Sequence, residues 1–298
     1  MSNTSKSLNN IISLIAYASG IGGADVHCGE GPLLLQHSFH SSVASWEATI
    51  FPPKQTALRV DEIVSNLSER LAKKVSEIIA KKQFISVIGG DHTSAIGTWS
   101  GVYDAMHQQG EIGLIWIDAH MDSHTPETTE SGRLHGMPFA VLMGYGYPSL
   151  TNILQVTPKI KPENVCLIGV RSFERSEAEL LKRLNVRIYF MEEVKARGLR
   201  KIFQEAVKLV CQHTVGYGIS LDLDSIDPQD APAVDVPAPN GLHAADLLQT
   251  MVEIIDDPKL LAMEIVEFDP SHDIDNKTEI LVINLLNRII KKRTHAKT

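Results

Sequence analysis

The chain has few cysteines, no strongly basic cluster and no long apolar run, and each shortage argues against a class of protein. Its 298 residues include three cysteines, Cys28, Cys166 and Cys211, which are widely spaced and odd in number. This pattern suits unpaired thiols in a reducing compartment better than a disulfide framework. The net charge of −8 argues against nucleic-acid and anionic-membrane partners, because both require clustered Lys and Arg.

The two ends of the chain and its apolar segments predict a cytoplasmic protein. The opening residues MSNTSKSLNN lack a basic segment that leads into a long apolar stretch, so a signal peptide is not expected. No apolar run approaches the ~20 residues that a membrane-spanning helix needs. The closing Lys291-Lys292-Arg293 is interpreted as a solubilising basic tail.

Alternating apolar runs and helical patterns predict a single α/β domain over residues 1–298. The hydrophobic share of 43% is ordinary for a globular enzyme, and no internal repeat or linker is visible. Strands are predicted at 84–88, 114–117, 165–170, 186–190, 218–221 and 261–266, and helices at 61–83, 199–211, 244–255 and 278–290. This alternation favours a mostly parallel sheet with both faces covered, in which ligands bind at the carboxyl ends of the strands.

Residues of the kind that bind metals follow four of the predicted strands. Asp91 and His92 follow the predicted strand at 84–88, and Asp118, His120 and Asp122 follow the strand at 114–117. Asp222, Asp224 and Asp227 follow the strand at 218–221, and Glu264, Glu267 and Asp269 lie in or just after the strand at 261–266. In extended chain, residues at i, i+2 and i+4 share one face, so Asp118, His120 and Asp122 are expected to converge. Ionised carboxylates gathered at apolar strand ends would repel one another unless cations bind between them.

The number and type of these ligands predict two metal ions. Four carboxylates and two imidazoles are too many for one tetrahedral zinc, and no cysteine lies in these segments. An oxygen-rich set with some imidazole favours Mn²⁺ or Fe²⁺. Two Mn²⁺ ions are therefore expected, with Fe²⁺ or Co²⁺ as alternatives. The ligands are predicted to be His92, Asp118, His120, Asp122, Asp222 and Asp224.

The segments GGDHTSAIG, DAHMDSHTPETTESGRLHG and SLDLDSIDP resemble the signature motifs of the arginase/agmatinase/formiminoglutamase family of ureohydrolases, and the arginase branch most. They occur in the order found in that family, and the resemblance extends over about 20–290. It implies a three-layer α/β/α arginase-like fold and a binuclear manganese cluster held by the six residues named above.

The same resemblance implies how the reaction proceeds. Water attacks a guanidinium carbon once two cations have activated it, and Asp122 is both a metal ligand and a catalytic residue. His135 matches the family's proton-shuttle histidine, and its ordinary pKa suits that task. Glu267 matches the glutamate that receives the guanidinium through charge-assisted hydrogen bonds.

Five residues are candidates for substrate recognition. Ser131 matches an arginase residue that contacts the α-carboxylate, and Glu174 or Glu177 matches the acid that recognises the α-amino group. Arg133 could hold a carboxylate with its guanidinium fork. His124 stands where arginases commonly have Asn, and Asp235-Val236-Pro237 replaces the usual Gly-Thr-Pro.

These features predict a hydrolase that cleaves the guanidino group of L-arginine to ornithine and urea. The departures keep open a formiminoglutamase or another guanidino-acid hydrolase of the family, such as a guanidinobutyrase or an agmatinase-like enzyme. A binding protein on the same fold is the non-enzyme alternative, but no predicted metal ligand is missing. The expected partner is a small guanidino or formimino amino acid, and the resemblance suggests a homotrimer or homohexamer.

Overall fold

A computed structural model of the chain describes residues 12–54 and 57–295. The first ten residues, on which the signal-peptide expectation partly rests, lie outside this part. Its strands are β1 (Ile12–Tyr17), β2 (Ala44–Ile50), β3 (Ile85–Gly89), β4 (Ile112–Ile117), β5 (Val165–Val170), β6 (Arg187–Phe190), β7 (Gly216–Asp222) and β8 (Leu260–Val266). Its α-helices are α1 (Gly31–Ser38), α2 (Val60–Ala80), α3 (Ser94–Met106), α4 (Pro138–Leu142), α5 (Pro148–Thr151), α6 (Arg175–Arg183), α7 (Met191–Arg197), α8 (Leu199–Val210), α9 (Ala244–Ile254) and α10 (Lys277–His295).

The eight strands form one parallel sheet in the order β2-β1-β3-β8-β7-β4-β5-β6. Strands β1, β3, β4, β5 and β7 are buried along their whole length. Continuous burial is typical of a parallel sheet that is covered on both faces. It also explains why several of these strands appear in the sequence as unbroken apolar runs.

Alternating side chains of each strand enter two separate cores. In β4, Ile115 and Ile117 pack on one face with α1, α7, α8, α9 and α10, while Leu114 and Trp116 pack on the other with α2, α3, α4 and α6. The period of two in a strand accounts for this division. The fold is thus the predicted three-layer α/β/α arrangement.

The described elements contain all six predicted strands and all four predicted helices, with ends displaced by up to five residues. The interpretation of Lys291-Lys292-Arg293 as a solubilising basic tail is wrong for Arg293. Arg293 belongs to α10, its guanidinium donates to the carbonyl of Leu260 at 2.7 Å, and it stacks over the ring of Phe84. The apolar part of an arginine packs well against such surfaces, so Arg293 is an anchor and not a solvated charge.

Among the described residues, no helix is long and apolar enough to cross a membrane.

Candidate active site

The site lies at the carboxyl edge of four neighbouring strands, β3, β8, β7 and β4. Their register places Ile88, Ile265, Leu221 and Ile117 in one row across the sheet. The polar segments that follow this row leave the sheet at the same level. Residues that are far apart in the sequence are thereby brought together, as expected at the carboxyl edge of an open α/β sheet.

Three carboxylates surround the buried imidazole of His92. Its Nδ1 lies 3.3 Å from Oδ2 of Asp118, 3.0 Å from Oδ2 of Asp122 and 3.0 Å from Oδ2 of Asp222. Although it is buried, this nitrogen makes no hydrogen bond of acceptable geometry. A buried nitrogen that faces three oxygens without bonding to them is the arrangement expected of side chains that share a cation.

A second group forms around His120 and shares Asp118 with the first. The Nδ1 of His120 lies 2.9 Å from Oδ2 of Asp224 and 3.6 Å from Oδ1 of Asp118. The two groups, His92–Asp118–Asp222 and Asp118–His120–Asp224, each have ligand atoms within 4.8 Å of one another. Together with Asp122 they bring all six predicted metal ligands to one place. One carboxylate common to both groups suits a pair of neighbouring ions.

The backbone that delivers these ligands differs from the extended chain expected from the sequence. Strand β4 ends at Ile117, and Asp122 has a φ of 48°, so 118–122 turns away from the sheet. Asp224 lies in a 3-10 helix over Leu223–Ser225, where its amide donates to Oδ1 of Asp222 at 2.8 Å. The six side chains do lie together, but turns and not alternation in a strand bring them there.

The electrostatics of the first group favour a bound cation. Burial opposes charge on His92, but Asp118, Asp122 and Asp222 raise the pKa of its imidazole well above the ordinary value. Burial and the charges of its neighbours raise the pKa of the Asp222 carboxyl in turn. Without a metal ion, His92 and Asp222 therefore tend to hold protons, and a bound divalent cation would displace these protons.

A chain of hydrogen bonds behind His92 orients the imidazole. Its Nε2 lies 3.0 Å from Oγ of Ser220, and that hydroxyl donates to Oε2 of the buried Glu264 at 3.0 Å. Ser94 and Thr98 both donate to the other oxygen of Glu264 at 2.7 Å. Partners of this kind fix the ring orientation of histidines that bind metals.

Trp116 supports both His92 and Asp118. Its ring stacks on His92 with centroids 4.1 Å apart, and its Nε1 donates to Oδ2 of Asp118 at 2.8 Å. Trp116 is fully buried, and these contacts make it more than a filler of the core.

Glu267 lies beside the two clusters and contacts three groups. Its Oε1 accepts from the amide of His92 at 2.8 Å and lies 3.2 Å from Nδ1 of His135, while its Oε2 accepts from the thiol of Cys28 at 3.4 Å. Burial opposes the charge of this carboxylate, but the hydrogen bond from His135 leads a set of contacts that lower its pKa. Burial likewise opposes the charge of His135, and Glu267 raises its pKa to about 9.

A cavity of about 250 Å³ opens over these side chains and contains every predicted substrate-binding residue. His120, Asp122, Asp222, Asp224, His135 and Glu267 line its floor, and Ser131, Arg133, His124 and Glu174 line its side. Ser131 and Arg133 are exposed at the rim, where the hydroxyl of Ser131 accepts from the amide of Arg133 at 3.2 Å. A volume of this size suits a small polar molecule.

The two acids proposed for amino-group recognition have different surroundings. Glu177 is buried and accepts from the amides of Ser123 at 3.1 Å and Glu174 at 3.0 Å. The bond from Glu174 is half of a capping box at the start of α6. Glu174 is more exposed, and its Oε2 lies 3.1 Å from Nε2 of His124. Glu174 is therefore accessible to a ligand, whereas both carboxylate oxygens of Glu177 accept hydrogen bonds from backbone amides.

Comparison with known proteins agrees with this arrangement. The model of the Arginase family matches residues 37–291. The chain belongs to the arginase family.

Arginases from several bacteria are similar to this family member over most of its length. The arginase of Bacillus caldovelox is 39% identical over 236 residues, which cover 79% of this chain and 78% of that protein. The arginase of Bacillus subtilis (strain 168) is 38% identical over 248 residues, which cover 81% and 82%. The crystal structure of Bacillus caldovelox arginase superposes with a TM-score of 0.86 at 32% identity and covers 94% of this chain and 98% of that one. The predicted family and fold are both confirmed.

Sequence reasoning missed several residues that support the site of this arginase-family chain. They are Cys28, Ser220, the partly buried Arg171, whose guanidinium donates to the carbonyls of Asp224 and Ala238, and Glu264, which the sequence analysis grouped with the metal-type residues and not with their support. Glu264 gave a usable signal, since a carboxylate inside the apolar run LLAMEIV must be buried and therefore needs partners. The other three become apparent only from distances.

Proposed function

We propose that this chain hydrolyses the guanidino group of L-arginine to ornithine and urea with two Mn²⁺ ions. One observation carries the proposal: two His–carboxylate clusters share Asp118, and their members His120, Asp222 and Asp224 line a small polar cavity together with the carboxylate of Glu267. Family membership supports hydrolysis of a guanidino C–N bond, and relatives named arginase at 38–39% identity favour arginine among the family's substrates.

His92, Asp118 and Asp222 would hold one ion, His120, Asp118 and Asp224 would hold the other, and Asp122 lies close enough to His92 to join the first set. When bound, a pair of divalent ions lowers the pKa of water and fixes the nucleophile. Manganese suits this ligand set because oxygen donors predominate and thiolates are absent from it.

Glu267 is the residue that we assign to the guanidinium. It is a buried carboxylate with a lowered pKa, and it lines the cavity beside the metal ligands. A charged carboxylate in this position pairs with a guanidinium through charge-assisted hydrogen bonds. It would hold the electrophilic carbon above the clusters.

At the other end of the cavity, Glu174 would receive the α-amino group, and Ser131 and Arg133 would receive the α-carboxylate. All three residues line the cavity and, unlike the buried Glu267, are exposed. A substrate that spans the cavity therefore needs a cationic head and an amino-acid tail, as arginine has. Agmatine, which lacks the carboxylate, matches this wall less well.

We assign proton transfer to His135. It lines the cavity, and its Nδ1 lies 3.2 Å from Oε1 of Glu267, so an imidazole nitrogen is within reach of a group bound to that carboxylate. Collapse of the tetrahedral adduct requires a proton on the departing amine, and His135 would donate it.

Purified protein reconstituted with Mn²⁺, and separately with Fe²⁺ and Co²⁺, should be assayed on arginine, agmatine, guanidinobutyrate and formiminoglutamate. We expect urea from arginine at the highest kcat/KM, with Mn²⁺ the best metal. Formamide from formiminoglutamate with no urea from arginine would refute the substrate assignment and leave the metal site intact.

Substitution of a proposed ligand should nearly abolish activity. His120→Ala or Asp122→Ala removes a group that fixes the ions, and we expect kcat to fall at least ~10³-fold because the nucleophile depends on both ions. His243→Ala is the matched control, since this imidazole is 76% exposed and lies outside the cavity. Metal analysis should find two ions per chain in the control and fewer in the ligand variants.

We also infer a cytoplasmic location and a homotrimeric or homohexameric state. The three cysteines are unpaired, as expected in a reducing compartment. The oligomeric state follows from the family resemblance alone. Size-exclusion chromatography with light scattering should give three or six times the mass of one chain, and a monomer would contradict it.

A further inference from the structure

The carboxylate of Glu267 is held in an uncommon backbone conformation and needs support at both oxygens. Its φ is 66°, in the left-handed region that non-glycine residues seldom occupy. The amide of His92 and the ring of His135 occupy Oε1. The contact described for Oε2 is the thiol of Cys28, 3.4 Å away.

The thiol of Cys28 is a hydrogen-bond donor and not a reactive nucleophile. The side chain is fully buried, and burial together with the charges of Glu267 and Asp235 raises its pKa far above the ordinary value. The sulfur therefore keeps its proton and can donate it to a carboxylate. Oxidation is disfavoured for the same reason.

Two features hold Cys28 against Glu267. Cys28 lies in a 3-10 helix over Val26–Glu30, and Oδ2 of Asp235 accepts from the amides of Ala24 at 2.6 Å and Asp25 at 2.9 Å just before it. This pair of hydrogen bonds, the Asp235 clamp, holds the segment that leads into the cysteine turn.

On the other side of Cys28, helix α1 begins in direct contact with the Glu267 segment. A Cβ placed on Gly31 would lie 2.1 Å from the carbonyl oxygen of Phe268, so only glycine permits this approach. The backbone of the cysteine turn and the backbone of the glutamate are thus fixed relative to each other.

We propose that Cys28 is a positioning residue for Glu267: its S–H holds Oε2, so that the carboxylate presents a fixed orientation to the guanidinium, and Asp235 holds the turn that carries it. This inference rests on the proposed function, in which Glu267 receives the substrate. Cys28 acts through Glu267 and does not touch the substrate.

The test compares Cys28→Ala, which removes the donor, with Cys28→Ser, which keeps one. We expect Cys28→Ala to lower kcat/KM for arginine about three- to tenfold, the range of one hydrogen bond, and Cys28→Ser to restore most of it. Cys166→Ala is the matched control, because Cys166 is equally buried in the core on β5. Both alanine variants should lose stability, but only Cys28→Ala should lose activity.

Asp235→Gly provides an independent variant, since it releases the clamp without changing the thiol. We expect a fall in kcat/KM in the same direction, and less than additive loss in the double variant with Cys28→Ala, because both act through one contact. Fully additive losses would show that Asp235 does not act through Cys28.

Raman spectroscopy gives a readout that does not need turnover. The S–H stretching band that disappears in Cys28→Ala should lie at lower frequency than the band lost in Cys166→Ala, and Glu267→Gln should shift it. Equal loss of activity in Cys28→Ala and Cys28→Ser, or unchanged activity in both, overturns the inference. If wild-type protein releases no urea from arginine, the proposed function fails, while the Raman comparison still decides whether the hydrogen bond exists.

Discussion

Two single residues of the site, Asp122 and Glu267, have left-handed backbone conformations, with φ values of 48° and 66°. Such conformations cost about 1–3 kcal/mol each and concentrate at functional sites. In both cases the turn aims a carboxylate at the cavity immediately after a buried segment. These conformations lower the stability of the fold locally, and in return two carboxylates face the cavity.

His124 offers the sharpest test of substrate recognition by one side chain. Its Nε2 lies 3.1 Å from Oε2 of Glu174, so it orients the carboxylate that we assign to the α-amino group. We expect His124→Ala to raise KM for arginine about tenfold, since about 1.4 kcal/mol is typical of one lost polar contact. The kcat should change less than about twofold, because this contact is remote from the reacting carbon.

Glu174→Gln should behave like His124→Ala, and the double variant should lose less than the sum of the two. A kcat that falls as far as kcat/KM in His124→Ala would place His124 in the chemical step and contradict this assignment. Steady-state kinetics on the three variants decide the matter.

At this scale the sequence predicts residue identities well and contacts poorly. The six proposed ligands could be brought together as candidates because each lies at or just after the end of a buried strand, and strand ends of a parallel sheet meet. Whether Glu174 or Glu177 is accessible could not be predicted, since both follow the same short loop. What separates them is that Glu177 accepts two backbone amides, that of Glu174 in the capping box and that of Ser123 from another segment.

Among the secondary-structure elements, helix α3 shows why a pattern can be misleading. The run that contains Gly97 and Gly101 is not among the predicted helices. Each glycine weakens a helix interior by about 1 kcal/mol, so the local sequence gives a poor helix signal here. Here a Cβ on Gly97 would lie 2.8 Å from the carbonyl oxygen of Ser68, and one on Gly101 would lie 2.4 Å from that of Ala72. The glycines let α3 pack directly on α2, a tertiary gain that local propensity does not contain.

Strand β2 was also missed, for a different reason. It is an edge strand that is paired only with β1, and most of its residues are partly exposed, including the polar Ser45 and Glu47. Edge strands need no continuous apolar run, so the signal that revealed β3, β4, β5, β7 and β8 is absent here. The sheet order is likewise unreadable from the sequence, because β8 inserts between β3 and β7.

The loop after α5 is held by one buried lysine. The ammonium of Lys159 donates to the carbonyls of Thr151 at 2.7 Å, Gln155 at 2.6 Å and Thr157 at 2.7 Å. Lys159→Met keeps the apolar stem but removes the donor that these three carbonyls share. We expect the free energy of unfolding to fall by about 2–4 kcal/mol in urea denaturation.

Lys161→Met is the matched control for this prediction. Lys161 lies two residues further on, its side chain is half-exposed, and it pairs with Glu111 at 2.9 Å. Such surface pairs contribute at most about 1 kcal/mol. Equal losses in the two variants would show that the three carbonyls do not depend on Lys159.

For the whole molecule, the parallel sheet concentrates negative charge at one edge, and bound cations should therefore stabilise the entire fold. An ion at 100 times its Kd adds about 2.7 kcal/mol to the stability of the state that binds it. We expect chelation to lower the melting temperature by several degrees and Mn²⁺ to restore it. The shift should persist in His243→Ala and shrink in His120→Ala. A melting temperature that is indifferent to chelator would argue against a high-affinity metal site.

The pH dependence of the metal-free protein follows from the same crowding. Burial is the main cause that raises the pKa values of Asp122, Asp222 and Asp224, and the charge of Asp118 raises all three further, so the folded state holds protons that the unfolded chain has released above about pH 4. Stability then falls as pH rises, because the folded state binds more protons than the unfolded one. The pKa values of Asp118 and Glu267 are lowered, so between pH 5 and 8 both carboxyls are ionised in the folded and in the unfolded state. They therefore do not offset the fall in stability over this pH range.

We therefore expect the urea midpoint of chelated protein to decrease from pH 5 to pH 8. In manganese-saturated protein the cations replace those protons, and metal affinity itself increases with pH, so the decrease should vanish or reverse. Parallel urea titrations with and without Mn²⁺ measure both trends. If chelated protein were as stable at pH 8 as at pH 5, the carboxylates at the strand ends would not be close enough to repel one another, and they could not hold two ions.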